Sequence, residues 1–282
     1  MNLDKKAYEL RLDVLEMVFN HKSGHIGGSF SSMNILTALY YAVMDDSRIK
    51  AGDPARDRFI LSKGHNAEAL YAVLADRGFF DKSELDTFTC FGTRLAEHPS
   101  HKLPGVEVST GALGHGLSIG VGLAIGLKTT EPESHVYVLM GDGELAEGSV
   151  WEAAMSAGKY GLSNLTAIID RNRLQISGCT EEVMPLDDLT AKLKAFGFAV
   201  CECDGNSCEE LIPMLKTRVP GKPVAVIANT VKGYGSEVIE NKAGWHHAIP
   251  NEEQYKTIKE DLKSRMAALD ERSALVNKGG VN

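Results

Sequence analysis

Four short runs of nearly unbroken apolar residues constrain this chain most: HVYVLM at 135–140, NLTAIID at 164–170, FAVCEC at 198–203 and PVAVIAN at 223–229. Each has the length of a strand. Their continuous apolar character suits strands covered on both faces. RFILS at 58–62 is a fifth, shorter run. Helical patterns lie between them. Residues 4–20 place Leu10, Val14, Met17 and Val18 on one face. Further helices are expected at about 32–43, from near Asn66, over 114–128, and through the charged tail from 251. This alternation predicts an α/β chain with a mainly parallel sheet flanked by helices.

Punctuation fills in the rest. SGHIGGS, at 23–29, reads as a glycine-rich loop, and residues 91–113 read as irregular. Ser83-Glu84-Leu85-Asp86 resembles a capping-box helix start, and Ser207-Cys208-Glu209-Glu210 reads as a capping box. Gly116, Gly120, Gly122 and Gly126 would permit close packing of the helix that carries them. No repeat, low-complexity tract or linker interrupts the pattern, so residues 1–282 are expected to form one domain.

The formal charge of −8 argues against broad binding to nucleic acid or anionic membranes, while leaving room for a local basic pocket. The amino terminus mixes acidic and basic residues and lacks a signal peptide's apolar core. The most span-like stretch, 111–127, is rich in glycine and contains His115 and Ser118, which suits a buried helix. The expected location is the cytoplasm. Five cysteines, an odd number, fit reduced thiols. CECDGNSC, holding Cys201, Cys203 and Cys208, reads as buried thiols around a turn rather than a structural zinc site.

The chemistry concentrates at MGDGELAEG, residues 140–148, directly after an apolar run. In a parallel sheet, ligands bind beyond the carboxyl ends of strands. Glycines there let backbone approach a ligand and free amide N–H groups for phosphate oxygens. Asp142 adds a hard oxygen donor. The next apolar run ends at Asp170, and Asn172 follows with an amide oxygen. A carboxylate, an amide oxygen and a nearby backbone carbonyl, completed by phosphate oxygens and water, make a six-oxygen magnesium site. Taken alone, Gly-Asp-Gly is also what an ordinary turn would use; the pairing with Asn172 at the end of the next strand gives it weight.

The segment GDGELAEGSVWEAAMSAGKYGLSNLTAIIDRNRLQISG resembles the thiamine-diphosphate motif, and most of all the amino-terminal part of transketolase. SGHIGG (23–28), LSKGH (61–65), EHP (97–99), STGALGHG (109–116) and VKGYGSEVIENKAGWHH (231–247) extend the resemblance over nearly the whole chain. It implies thiamine diphosphate held with Mg2+, or Ca2+ or Mn2+ in its place. Asp142, Asn172 and the Leu174 carbonyl would bind the metal. Gly143 would lend its amide to the diphosphate, with Lys63, His65, Lys232 and His246 around it. Gly111, Ala112 and Leu113 would line the aminopyrimidine, and Ile176 would pack on the cofactor. His25, His65, His98 and His246 match active-site histidines, which shuttle protons to sugar hydroxyls. Glu147 matches a subunit-interface glutamate coupled to cofactor activation; a helix-start glutamate favoured by the macrodipole is the plainer alternative.

Three positions depart from the family pattern: Ile26 stands where proline is usual, His115 where glutamine is frequent, and His247 where glycine is common. A complete transketolase is also more than twice this length. The resemblance therefore implies the amino-terminal subunit of a split enzyme. A partner chain, the carboxyl-terminal transketolase subunit, would supply the pyrimidine-binding domain. The two would form an α2β2 assembly acting on sugars or sugar phosphates. The alternatives are the α chain of a 2-oxo acid dehydrogenase-type enzyme and a non-catalytic cofactor-binding module.

Overall fold

A computed structural model describes residues 1–279. Among the described residues, seven strands occur: β1 (Arg58–Leu61), β2 (Val136–Gly141), β3 (Leu165–Arg171), β4 (Leu174–Gln175), β5 (Gly178–Cys179), β6 (Ala199–Asp204) and β7 (Val224–Asn229). Five form one sheet in the order β1-β2-β3-β7-β6, with every pair parallel. All five apolar runs are therefore strands of one parallel sheet, while β4 and β5 make a small antiparallel ladder outside it. The helices are α1 (Leu3–His21), α2 (Ile26–Ala38), α3 (Asp46–Lys50), α4 (Ala67–Asp76), α5 (His115–Thr130), α6 (Gly148–Lys159), α7 (Thr180–Val183), α8 (Leu189–Ala195), α9 (Cys208–Leu215) and α10 (Glu252–Gly279).

Side-chain alternation along the strands builds two core layers. Leu61, Leu139, Ile168 and Val226 face a layer completed by α1, α2, α4 and α9. Ile60, Val138, Ala167 and Ile227 face the opposite layer, completed by α5, α6 and α8. The β2–β3 crossover through α6 and the β6–β7 crossover through α9 thus lie on opposite faces. The strand order reverses at β3 and β7, which opens a crevice at their carboxyl ends. Register then aligns the ends: Gly141 sits opposite Asp170, and Asp170 opposite Ala228.

Several local expectations change. SGHIGGS is not all loop, because α2 starts at Ile26 and is buried on every side. Glycine is a poor helix former, but here contact decides. A Cβ on Gly28 would stand 2.6 Å from the Asn66 amide group, and one on Gly27 would stand 2.6 Å from the Trp245 carbonyl oxygen. Beyond α2 the chain continues as a π-helical turn, Leu39–Val43. Near Ser83 a 3-10 helix, Lys82–Thr87, starts one residue earlier, and its cap is Asp81, which accepts from the Ser83 N–H at 2.8 Å. Ser207 does accept from the Glu210 N–H, but Glu210 bonds to the Asp204 N–H, so the reciprocal half of the capping box is displaced. On α5, Gly116 and Gly120 press on Ser62 and Val138, whereas Gly122 and Gly126 have no neighbour within 4 Å of a would-be Cβ. Strand β6, at one edge of the sheet, is half-exposed and not covered on both faces. Cys201 and Cys203 pack toward one core layer, and all five cysteines are free thiols. Among the described residues no helix is long and apolar enough to cross a membrane.

Candidate cofactor and metal site

A cavity of about 410 Å³ opens at the carboxyl ends of β1, β2, β3 and β7. The sheet places its polar groups. After β1 come Lys63 and His65, after β2 come Asp142, Gly143 and Glu144, after β3 comes Asn172, and after β7 comes Lys232. Asp142 is only 1% exposed. Its Oδ1 accepts from the Gly143 N–H at 2.8 Å, and Oδ2 accepts from the Arg173 N–H at 2.5 Å and Arg171 Nη1 at 3.2 Å. Burial, followed by the charge of Asp170, raises its pKa above the usual aspartate value. A buried carboxylate crowded by another suits a divalent cation.

Asn172 is also buried, and its Oδ1 accepts from the Leu174 N–H at 3.1 Å, folding the backbone so that residues 172–174 turn toward Asp142. The Leu174 carbonyl accepts from Lys232 Nζ at 3.3 Å. One carboxylate, one amide oxygen and one carbonyl are hard donors of the kind magnesium takes while it keeps phosphate and water ligands. An orphaned acceptor supports the fit: Gln175 Oε1 is buried in the cavity wall without a hydrogen-bond partner. A Cβ on Gly143 would stand 3.0 Å from the Gln175 Cβ. The glycine keeps that cradle open.

Two lysines also border the cavity. Lys232 is 2% exposed and contacts His246 Nδ1 at 3.2 Å. Burial, then the charge of Lys63, lowers its pKa to about 8. Lys63 pairs with Asp170 beneath the cavity and also reaches the Gly28 carbonyl at 3.4 Å. Together they bring two buried ammonium groups to the cavity of a chain of net charge −8, groups that phosphate oxygens can meet.

The histidines gather at the cavity mouth. The His25 ring centroid lies 5.1 Å from that of His65, 5.5 Å from His246 and 4.6 Å from His247. Burial first lowers the pKa of three of them, to about 4 for His25, helped by His247, to about 2 for His65, helped by Lys63, and to about 3 for His246, helped by Lys232. His98 lines the same cavity from the 88–114 loop, and its Cδ2 stands 3.2 Å from a would-be Cβ on Gly111.

Other sequence-derived residues sort themselves around this centre. Gly111, Leu113 and Ile176 line the cavity, with Ile176 72% exposed at the turn between β4 and β5. Ala112 is exposed and outside the lining. Gly143 presents its amide to Asp142 Oδ1 rather than leaving it free. Glu147 is exposed at the N-cap of α6, makes no side-chain cap bond and lies outside the cavity. His115 is exposed at the start of α5, where Nδ1 meets the Leu113 carbonyl at 3.1 Å.

Sequence reasoning passed over Glu144, although it lies inside the GDGEL stretch. Its Oε1 accepts from Ser62 Oγ and from the Gly114 N–H at 2.9 Å, and Oε2 accepts from the Gly141 N–H at 3.0 Å. One buried carboxylate thereby joins the end of β1, the end of β2 and the start of α5. Its place directly after Gly-Asp-Gly was the available signal.

A parallel sheet whose strand ends bring hard oxygens, two lysines and a histidine cluster to one cavity has the features of a thiamine-diphosphate-binding domain. Residues 4–268 match the family described as transketolase, thiamine diphosphate binding domain, and the chain belongs to that family. It is 45% identical over 273 residues to an apulose-4-phosphate transketolase subunit of Phocaeicola vulgatus, covering 96% of this chain and 97% of the relative. It is 38% identical over 270 residues to the 6-deoxy-6-sulfo-D-fructose transketolase subunit SqwG of a Clostridium species, covering 95% and 98%. Among solved structures, transketolase from Leishmania mexicana superposes with a TM-score of 0.84 at 28% identity, covering 99% of this chain and 46% of that one. The Campylobacter jejuni transketolase gives 0.84 at 30% identity, covering 93% and 43%. The chain thus spans less than half of these solved transketolases and nearly all of its subunit-sized relatives.

Proposed function

We propose that this chain is the amino-terminal subunit of a two-chain transketolase, which moves a two-carbon ketol unit from a ketose or ketose phosphate to an aldose. One observation carries the reading. The oxygens of Asp142, Asn172 and Leu174, the cations Lys63 and Lys232, and His25, His65, His98 and His246 border one cavity. The subunit-length relatives are transketolase subunits, which favours ketol transfer over 2-oxo acid dehydrogenation and over a non-catalytic module.

Thiamine diphosphate, when bound, supplies the electron sink for breaking and making the carbon–carbon bond. The chain's own residues would do the rest. Asp142, Asn172 and the Leu174 carbonyl hold the divalent metal that anchors the diphosphate. Lys63, Lys232 and His65 surround its charge, and the Gly143 amide joins them on leaving Asp142 Oδ1. Gly111 and Leu113 flank the pyrimidine side, with exposed Ala112 between them outside the cavity, and Ile176 offers an apolar contact. His25, His65, His98 and His246 exchange protons with sugar hydroxyls.

The partner in this reading is a carboxyl-terminal transketolase subunit in an α2β2 assembly in the cytoplasm, with residues 1–282 acting as one cofactor domain. Exposed Glu147 then belongs to the subunit contact. Exposed apolar side chains nearby in the chain agree with such a contact: Ile119 and Ile125 on α5 and Met155 on α6. The test is to tag the chain, purify it with magnesium and thiamine diphosphate, and identify what accompanies it. Recovery of a chain carrying the second transketolase half, with ketol transfer by the pair, is the expected result. Full activity from the chain alone would remove the partner, and decarboxylation of a 2-oxo acid without ketose turnover would replace the reaction.

A further inference from the structure

Glu68 lies in the first turn of α4 and has no solvent exposure. Its two oxygens reach across to the start of α2. Oε1 accepts from the His25 N–H at 2.6 Å, and Oε2 accepts from Ser29 Oγ at 2.8 Å. His25 is the N-cap of α2 and makes no side-chain cap bond of its own. A carboxylate from another helix does that work. Gly24 makes room for it, because a Cβ there would stand 2.5 Å from Glu68 Oε1.

Capping alone does not account for the His25 ring. Nδ1 is buried without a hydrogen-bond partner and lies 4.0 Å from the same Oε1. The rest of the ring borders the cavity. The groups that face or act on it there are His65, Glu97, His98, Lys232, His246 and His247. At 4.0 Å no hydrogen bond is made, but the Glu68 carboxylate is a buried negative charge on the Nδ1 side, and such a charge favours an N–H over a lone pair at that nitrogen. What faces one imidazole nitrogen thereby biases which nitrogen carries the proton.

We propose that Glu68 is a positioning residue that fixes the tautomer of His25, keeping the proton on Nδ1 and leaving Nε2 as the basic nitrogen toward the cavity. This deepens, and rests on, the functional reading above. When a substrate hydroxyl gives up its proton, its O–H bond breaks and an Nε2–H bond forms. The ring becomes imidazolium, and its charge lies beside the Glu68 carboxylate. The relation is also switchable. Burial raises the Glu68 pKa to about 7, against the opposing pull of the His25 N–H, while the His25 ring itself stays neutral down to about 4. Once protonated, Glu68 no longer puts a negative charge beside Nδ1. The proton then sits on Nε2, and the basic nitrogen is lost.

The test uses the full 282-residue chain labelled with 15N at histidine, with H25N to assign the signal. Wild type well above neutrality should show Nδ1 protonated and Nε2 bare, with a change of tautomer as pH falls through about 7. Glu68→Gln should abolish that titration, because an amide does not ionise in this range, and should move the tautomer toward Nε2–H, because no carboxylate charge then faces Nδ1. A wild-type ring already protonated on Nε2 above neutrality, or a tautomer unmoved by E68Q, overturns the proposal. The wild-type titration decides alone if E68Q does not fold. In the assembled enzyme, E68Q should lower kcat about 10-fold with cofactor affinity unchanged. If wild type transfers no ketol unit, the functional reading fails while the NMR result still judges the tautomer.

Discussion

Lys63 and Asp170 form an ion pair sealed beneath the cavity, with side-chain exposures of 3% and 0%. Asp170 also accepts from Ser31 Oγ at 2.6 Å and from Thr230 Oγ1. Burial opposes its charge, but Lys63 and these hydroxyls hold its pKa below the usual aspartate value. Removing one member of a buried pair costs about 3–5 kcal/mol because the other is left uncompensated. Asp170→Asn should lower unfolding stability by that order, measured by urea denaturation. An unchanged midpoint would mean that Lys63 finds another counter-charge.

Asp142 offers the only carboxylate in the proposed metal set, so its loss should act on binding before stability. Asp142→Asn should weaken magnesium-dependent thiamine diphosphate binding by at least about 10-fold. Calorimetric titration at fixed magnesium would read this. The fold should tolerate the change, since burial and Asp170 already work against ionisation of Asp142. Equal cofactor affinity in wild type and variant would take Asp142 out of the metal set.

Glu144 makes three hydrogen bonds that join β1, β2 and α5. Glu144→Ala would leave the Gly114 and Gly141 N–H groups without their acceptor, at about 1–3 kcal/mol for each buried group left unsatisfied. Thermal and urea unfolding should both show a loss of about 2–4 kcal/mol. A loss below about 0.5 kcal/mol, the range of an ordinary surface change, would show that water takes over these donors.

Acid should destabilise the chain through His65. Burial, then the charge of Lys63, lowers its pKa from 6.5 to about 2. Between those values the unfolded chain binds the proton and the folded chain does not. Stability is therefore complete above about 6.5 and falls as pH drops through this window. His65→Asn should flatten the slope of unfolding free energy against pH between about 6 and 4. An identical slope in the variant would assign the acid sensitivity to other groups.

The sheet was legible because a doubly covered strand needs an unbroken apolar run, and all five runs became strands. Asp142 and Asn172 were legible for a related reason. They follow consecutive strands, and parallel pairing sets those strand ends side by side. The start of α2 was not legible. Its glycines look like loop residues until Asn66 and Trp245 are seen packed against them. Glu68 and Asp170 were hidden too, since each acts through partners 30 or more residues away. Sequence order gives no sign of such pairings. Glu147 and Ala112 carried a family match but lie outside the cavity of this chain.

The two margins of the sheet differ. β1 is four residues long and fully buried, while β6 lines the other margin with exposed Glu202 and Asp204. Open strand backbone is a template for pairing with a stray chain, and inserted charge discourages it. Any newly made chain passes some interval after synthesis in the company of its own copies. At that margin, approaching copies meet like charges before they meet unpaired amides, so the same edge that halts the sheet also guards the newly made chain against stacking with itself.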